Sequence, residues 1–276
     1  MTIGCIIQAR MTSTRLPGKV LKPLGYGNGT ILENVITRVR AASNIDTVVV
    51  ACTVNGADDV IVPVAESAGA SVFRGSEEDV LSRYYLAAKE YGLDTVVRVT
   101  ADCPFIDAGV LDDLVGFFDA GGYDYASNAI ERTYPHGLDC EIFSFAALEA
   151  AMREGRTKPE REHVTYYIYT HPEAFKIGGL RLPDGENYHD LRITVDTEAD
   201  YALACVLSDL LGGGSFTFRD IIGIFEERPY LRLINGNIRQ KCTCSTLAEE
   251  VAEAVTYLRL QDLPRAAEVL AAASVK

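Results

Sequence analysis

Four short runs of apolar and β-branched residues punctuate the first 120 positions, and their spacing leaves few folds open. Ile3 to Ile7, Thr47 to Cys52, Ser71 to Arg74 and Asp94 to Thr100 each have the length of a strand. The first two are apolar on both alternating faces, the pattern of strands covered on two sides. Between the runs lie helical stretches. Thr30 followed by Glu33 is a capping box that opens a helix to about Ala42. Asp58 to Ala68 has helical spacing, Ser76-Glu-Glu-Asp79 caps a helix to Tyr91, and a further helix runs from Ala108 to Asp119. Strands alternating with helices at this interval predict a parallel sheet with right-handed crossovers. The expected class is therefore α/β: a Rossmann-like three-layer α/β/α sandwich with a mostly parallel sheet.

The second half is less regular. Tyr123 to Asn128, Leu138 to Phe145 and Leu191 to Val195 read as strands, with a polar, turn-rich loop from Glu131 to Gly137. Helices are expected near 145–153 and 159–170, the second opened by the capping box Thr157 to Glu160. Thr197 caps another helix, which Gly212 to Gly214 stops, and Phe218 to Glu226 is the last helix of the main domain. From Cys242 the composition shifts. Thr246 caps an alanine-rich helix to about Leu260, Pro264 breaks it, and a second helix ends at Ala273. The expected organisation is a main domain over 1–241 and a helical hairpin over 242–276. The hairpin reads as a packing appendage or as a contact for a partner, including a second copy in a homodimer.

The charges are unevenly placed. The chain carries a net charge of −13, yet no acidic residue precedes Glu33. Directly after the first strand stand Arg10, Arg15, Lys19 and Lys22, with Thr12, Ser13 and Thr14 among them. A solvated surface loop is the plain reading of such a cluster. Its position favours a ligand, because open α/β sheets bind ligands outside the carboxyl ends of their strands. Cations, hydroxyls and loop amides together suit a polyphosphate. The loop is not a Walker A motif, since Gly18-Lys19 is followed by Val20. A broad basic face for nucleic acid or an anionic membrane is not expected in so acidic a chain. Nor is a membrane span or an export signal, and the expected location is the cytoplasm. Seven cysteines, an odd number scattered through core-like segments, read as reduced thiols. Cys242-Thr-Cys244 is their only close pair and lacks two further ligands nearby, so zinc is not expected.

Ile6 to Leu21, Ile-Ile-Gln-Ala-Arg-Met-Thr-Ser-Thr-Arg-Leu-Pro-Gly-Lys-Val-Leu, resembles the opening signature of the cytidylyltransferase family. That family includes CMP-3-deoxy-manno-octulosonate synthetase and acylneuraminate cytidylyltransferase. The subgroup resembled most is that of the spore coat polysaccharide biosynthesis protein F, and the resemblance spans roughly residues 3 to 238. It implies a nucleotide-diphospho-sugar transferase-like fold. It also implies transfer of CMP from CTP to a sugar or sugar-acid acceptor, release of pyrophosphate, and a magnesium cofactor. The chain has Gln8 where the sugar-acid synthetases commonly have Pro, and its acceptor half matches them poorly.

The resemblance assigns Arg10, Arg15 and Lys19 to the phosphates as catalytic cations, and a nucleotide site of Gln8, Ala9, Ser13, Arg74, Ser76, Ser82, Ala101 and Asp102 around them. Such chemistry needs charge neutralisation around the leaving pyrophosphate and a metal at the α-phosphate. Asp102 and Asp196 each end a predicted strand. Alone, either would pass as a helix cap. In the family, the Asp-x-Pro and Val-Asp-Thr segments hold the metal, and they stand here as Asp102-Cys-Pro104 and Val195-Asp196-Thr197. Acceptor contacts are expected from Asn128, Tyr134, His136, Asp139, Glu141, Glu162 and His163. Asp139 and Glu141, two apart on a predicted strand, would share a face.

Two other readings belong beside this one. A glycosyltransferase of similar architecture would consume a nucleotide sugar, but such enzymes usually hold their metal with Asp-x-Asp, which is absent here. A nucleotidyltransferase acting on a sugar phosphate with another nucleoside triphosphate would share the cradle.

Overall fold

The computed structural model describes residues 1–25, 27, 29–238 and 246–273. The chain divides into two compact units, Met1–Gly236 and Asn237–Lys276.

The first unit is built on a seven-stranded sheet. In chain order the strands and helices are β1 (Ile3–Gln8), α1 (Ile31–Arg40), β2 (Thr47–Thr53), α2 (Ile61–Ser67), β3 (Ser71–Gly75), α3 (Val80–Glu90), β4 (Thr95–Thr100) and α4 (Ala108–Gly121). There follow β5 (Tyr125–Ser127), β6 (Glu141–Ser144), α5 (Phe145–Glu154), α6 (Lys158–Glu162), α7 (Tyr166–Tyr169), β7 (Ile177–Gly179), α8 (Glu198–Leu211) and α9 (Phe218–Glu227). The sheet order is β3-β2-β1-β4-β6-β5-β7. Only β6 runs against its neighbours.

Alternation along the strands divides the core. Cys5 and Ile7 of β1 join Val50 and Cys52 of β2 and Val97 and Val99 of β4 on the face covered by α1, α2, α4, α8 and α9. Ile6, Val49, Ala51 and Val96 point to the other face, beneath α3 and α5. Helix α1 shows the local logic. The Thr30–Glu33 capping box fixes its start, and Ile31, Leu32, Val35, Ile36 and Val39 form its buried stripe.

The chain leaves β1 for β2 and β3 on one side, then returns to place β4 on the other side of β1. Gln8 ends level with Ala51 of β2 and Thr100 of β4. The strand order thus reverses at the carboxyl ends of β1 and β4, where a doubly wound sheet opens a crevice.

Three expectations are corrected. Leu191–Val195 is extended but forms only one bridge, His136 to Arg192, and belongs to no named strand. The edge position is filled by Ile177–Gly179, a three-residue strand too short and glycine-rich to read from sequence. The helix expected over 159–170 is two helices. Val164 breaks it with φ 44, a conformation costly for a β-branched residue, and Thr165 donates from Oγ1 to Glu141 at 2.6 Å. Helix α3 starts at Val80 with Asp79 as its cap, while Ser76 instead accepts from the Asp79 amide.

Two glycines meet backbone demands. Gly18, with φ 69, turns the chain into the short 3-10 turn Lys19–Leu21. Gly137, with φ 111, lies where a Cβ would come within 2.6 Å of the Thr194 nitrogen.

The second unit contains α10 (Leu247–Leu260) and α11 (Pro264–Ala273), which pack on each other. Asp262, with φ 55, lies in the turn between them. The Cys242/Cys244 pair and the 241/242 boundary fall outside the described residues.

Candidate active site

The loop after β1 is held from below. Asp58, fully buried, accepts from the Met11 amide at 2.7 Å and from the Thr53 amide and hydroxyl at 2.9 and 2.7 Å. Gly18 closes the loop by donating to the Met11 carbonyl at 2.9 Å. Arg10 and Arg15 reach solvent, Ser13 is half-buried, and Ala9 and Lys19 are buried. Asp58 reads in sequence as a helix start, and nothing local marks it as the anchor of a loop 47 residues earlier.

Lys19 gathers the two aspartates. Its Nζ donates to Asp102 Oδ2 at 2.7 Å and to Asp196 Oδ1 at 2.8 Å. Backbone pairing brings these carboxylates together: Val195 donates to the Asp102 carbonyl at 2.8 Å, and the Thr194 hydroxyl does so at 3.1 Å. Arg15 Nη2 lies 3.0 Å from the same Asp196 oxygen. Arg192 donates to Asp196 Oδ2 at 2.9 Å and holds Asp200 by two hydrogen bonds of 2.9 and 3.0 Å. Thr100 donates to Asp102 Oδ1 at 2.5 Å. Asp200 is also the capping-box residue of α8, so the helix start and the site share one side chain. Sequence reading missed Arg192 and Asp200, although their i, i+4 spacings around Asp196 are visible in hindsight.

Burial alone would raise the Asp196 carboxyl. Lys19, Arg15 and Arg192 outweigh it and hold the group below the ordinary carboxylate range. Burial likewise works against the Lys19 ammonium, and Asp102 with Asp196 reverses the sign, raising it above its usual value. Three cations face three carboxylates here, and Arg10 stands beyond them without an ion pair among the described residues.

The donors fit a hard divalent cation of the kind that keeps few protein ligands. Two carboxylates converge within reach of one ammonium, and no group of three or more His, Cys, Asp or Glu residues forms a metal cage among the described residues. Such an ion takes its remaining oxygens from phosphate and water.

Other expected nucleotide residues have internal partners. Arg74 donates to the carbonyls of Thr53 and Asn55, both at 3.0 Å, and pairs with Asp59 at 2.7 Å. Ser82 donates to the Asp79 carbonyl at 2.8 Å inside the first turn of α3. Gln8 accepts from Arg98 at 3.3 Å, and Ala101 is buried beside Asp102.

The acceptor set does not converge as one pocket. Asn128 is buried and fastens its loop, donating to the Leu138 carbonyl at 2.7 Å and accepting from the Cys140 amide at 3.0 Å. Tyr134 is buried against Phe218. His136 pairs through its backbone with Leu191 and Ile193, and burial followed by the charge of Arg132 pushes its ring below the usual range. Asp139 faces Arg132 at 2.5 Å and accepts from the Gly137 amide. Glu141 turns to other partners: Arg98, the Tyr125 hydroxyl at 2.7 Å and Thr165. The shared face expected for Asp139 and Glu141 is thus not seen, because β6 begins only at Glu141. Glu162 is exposed at the end of α6, and His163 caps that helix beside the strained Val164.

A doubly wound sheet, a cationic loop at its switch point and two convergent carboxylates define a nucleotidyltransferase. A family model for cytidylyltransferases matches residues 4–208. The spore coat polysaccharide biosynthesis protein SpsF of Bacillus subtilis is 36% identical over 203 residues, covering 71% of this chain and 82% of that protein. An uncharacterised protein of Methanocaldococcus jannaschii is 39% identical over 241 residues, 87% of this chain and 97% of its own. The solved structure of a cytidylyltransferase from Leptospira borgpetersenii superposes with a TM-score of 0.79 at 36% identity, covering 88% of this chain and all of that one. The chain belongs to the cytidylyltransferase family and is a CTP-dependent nucleotidyltransferase. No helix among the described residues is long and apolar enough to cross a membrane.

Proposed function

We propose that this enzyme transfers CMP from CTP to a sugar or sugar-acid acceptor and serves the synthesis of a surface polysaccharide, of which a spore coat glycan is one example. The observation that carries the reading is the convergence of Asp102 and Asp196 on Lys19 at the carboxyl end of β1. In this scheme Arg10, Arg15 and Lys19 lie along the β- and γ-phosphates. Asp102 and Asp196 hold magnesium, which when bound supplies charge neutralisation at the α-phosphoryl oxygens.

An acceptor oxygen forms the new bond to the α-phosphorus as the bond from that phosphorus to the β-bridging oxygen breaks. Pyrophosphate leaves with both electrons of that bond, a hydroxyl acceptor gives up its proton to solvent water, and Arg15 and Lys19 stabilise the growing charge. Fixed cations raise the rate because they need no reorganisation as charge develops. When triphosphate enters, Lys19 and Arg15 exchange carboxylate partners for phosphate ones, so no buried charge is left unpaired. The half-exposed Arg15 can make that exchange with little rearrangement.

The acceptor side is expected beyond β4, where His136, Asp139 and His163 lie. The relationship to SpsF supports a glycan pathway. Release of pyrophosphate from CTP, UTP, ATP and GTP, measured across a panel of sugar acids and sugar phosphates, tests the proposal. Turnover confined to CTP with one acceptor class is expected. Equal use of all four nucleotides, or none with any sugar, would overturn it.

A further inference from the structure

The chain that leaves α9 faces solvent over most of its length. In the 3-10 turn Pro229–Leu233, Leu231 is buried in the core, while Tyr230 and Leu233 are 62% and 79% exposed. Two residues past the turn one polar side chain goes back inside. Asn235 is 5% exposed, between exposed Ile234 and exposed Gly236. The bend is tight: a Cβ on Gly236 would come within 2.7 Å of the Arg232 carbonyl oxygen. An amide taken out of water in this way must find hydrogen-bond partners inside.

The partners of Asn235 belong to the network behind Asp196. Its Nδ2 donates to Asp200 Oδ1 at 2.9 Å and to the Arg192 carbonyl at 3.0 Å, across 35 and 43 residues of sequence. Both amide hydrogens are thus used, and the reversed amide would set an oxygen against two acceptors. Asp200 Oδ1 also accepts from Arg192 Nε at 2.9 Å. Asp200 Oδ2 accepts from Arg192 Nη2 at 3.0 Å, from the Asp196 and Thr197 amides at 3.1 and 3.0 Å, and from the Thr197 hydroxyl at 3.0 Å. The same Nη2 reaches Asp196 Oδ2 at 2.9 Å. Asp196 therefore has one oxygen committed to Arg192, while Oδ1 faces Lys19 and Arg15.

We infer that Asn235 is a positioning residue for the metal carboxylate. It grips Arg192 at both ends, by the carbonyl and by the acid that the guanidinium clasps. So held, the guanidinium stays on Asp196 Oδ2, and the carboxylate keeps Oδ1 turned to the cradle. Partners behind a ligating group act in this way, by fixing its orientation before the metal arrives. The job needs a donor: a carboxylate at position 235 would set like charge against Asp200, and an alanine would leave Asp200 Oδ1 and the Arg192 carbonyl each short of a hydrogen bond. Nothing local in the sequence marks Asn235, since it meets Asp200 only once the chain has returned from α9. This inference rests on the assignment of the metal to Asp102 and Asp196.

The test is calorimetric titration with α,β-methylene-CTP, which cannot release pyrophosphate, once with manganese and once with EDTA. The ratio of the two affinities is the gain due to the metal. Wild type should bind more tightly with manganese. Asn235→Ala should lose roughly tenfold of that gain, as removal of a partner behind a ligand does, with its affinity in EDTA unchanged. Asn235→Ser keeps one donor and should lose part of the gain, and it provides the answer if the Ala variant does not fold. Ile222→Val, which trims the buried face of α9, should lower the melting temperature and leave the gain whole. A full manganese gain in a folded Asn235 variant overturns the inference, as do equal losses with manganese and with EDTA, or the same loss in Ile222→Val. Asp196→Ala separates the two readings. If it abolishes the gain while Asn235→Ala keeps it, this inference alone fails; a gain that survives Asp196→Ala, or no gain in wild type, overturns the metal assignment itself.

Discussion

Asp196 Oδ1 lies 2.8 Å from Lys19 Nζ across 177 residues of sequence. The same ammonium reaches Asp102 at 2.7 Å, so one lysine spans the two carboxylates proposed to hold the metal. The cradle and the metal site are one electrostatic unit, and altering either changes the other.

Replacing Lys19 with Ala should therefore remove catalysis more than stability. Loss of one preorganised charge donor is expected to lower turnover by about a hundredfold to a thousandfold. The ion pairs lost cost about 2 kcal/mol, since Arg15 and Arg192 remain on Asp196. Pyrophosphate release and urea unfolding would measure the two effects. A variant of unchanged turnover would refute the assignment of Lys19.

The pH dependence has a definite sign at each end. Asp196 and Glu141 are held below their ordinary values of 3.8 and 4.5. A depressed carboxyl stabilises the fold above its unfolded pKa, and that contribution fades as pH falls through the lower folded value. Lys19 is raised above its ordinary 10.5, so its contribution is complete below that pH and fades as pH climbs through the folded value. Melting temperature should accordingly be flat with respect to these groups from pH 5 to 9 and decline outside. Asp196→Asn should blunt the acid decline, and an acid limb as steep as wild type's would contradict the account.

Chelation should stop turnover and leave the melting temperature in place. The chain offers the metal two carboxylates, and Lys19, Arg15 and Arg192 already satisfy Asp196. Scanning calorimetry with and without EDTA decides this. A lower melting temperature would mean that the metal holds the fold together.

Arg98 and Glu141 provide a different test. Glu141→Gln leaves the Arg98 cation without its acid, at a cost of about 3 kcal/mol, whereas Arg98→Met with Glu141→Leu should recover most of that stability. A double-mutant cycle by chemical denaturation measures the coupling. A double variant no more stable than Glu141→Gln would show that the pair serves more than mutual neutralisation.

Much of the architecture was legible because it is local. Periodicity marked the first four strands, and capping boxes at Thr30, Thr157, Thr197 and Thr246 each open a helix. Long-range competition produced the misses. Thr165 satisfies Glu141 across 24 residues, and the helix breaks at Val164 beside it. Ile177–Gly179 is a strand because the β5 edge supplies its partner, a relation that three residues containing two glycines do not advertise. Asn128, Tyr134 and Glu141 are polar residues at plausible spacing, yet local pattern carries no sign that the fold would use Asn128 and Glu141 for internal bonds and Tyr134 for packing.

Sequence by itself determined the alternation that makes a parallel sheet, the cationic loop after the first strand, and an aspartate just after each of two apolar runs. Tertiary structure alone decided that those aspartates meet on Lys19, that Asp58 braces the loop, and that Asn235 reaches Asp200. Periodicity and capping act over a few residues, so they are written locally. Charge pairing in a folded chain depends on distances set by crossovers, and those exist only once the sheet has closed its order.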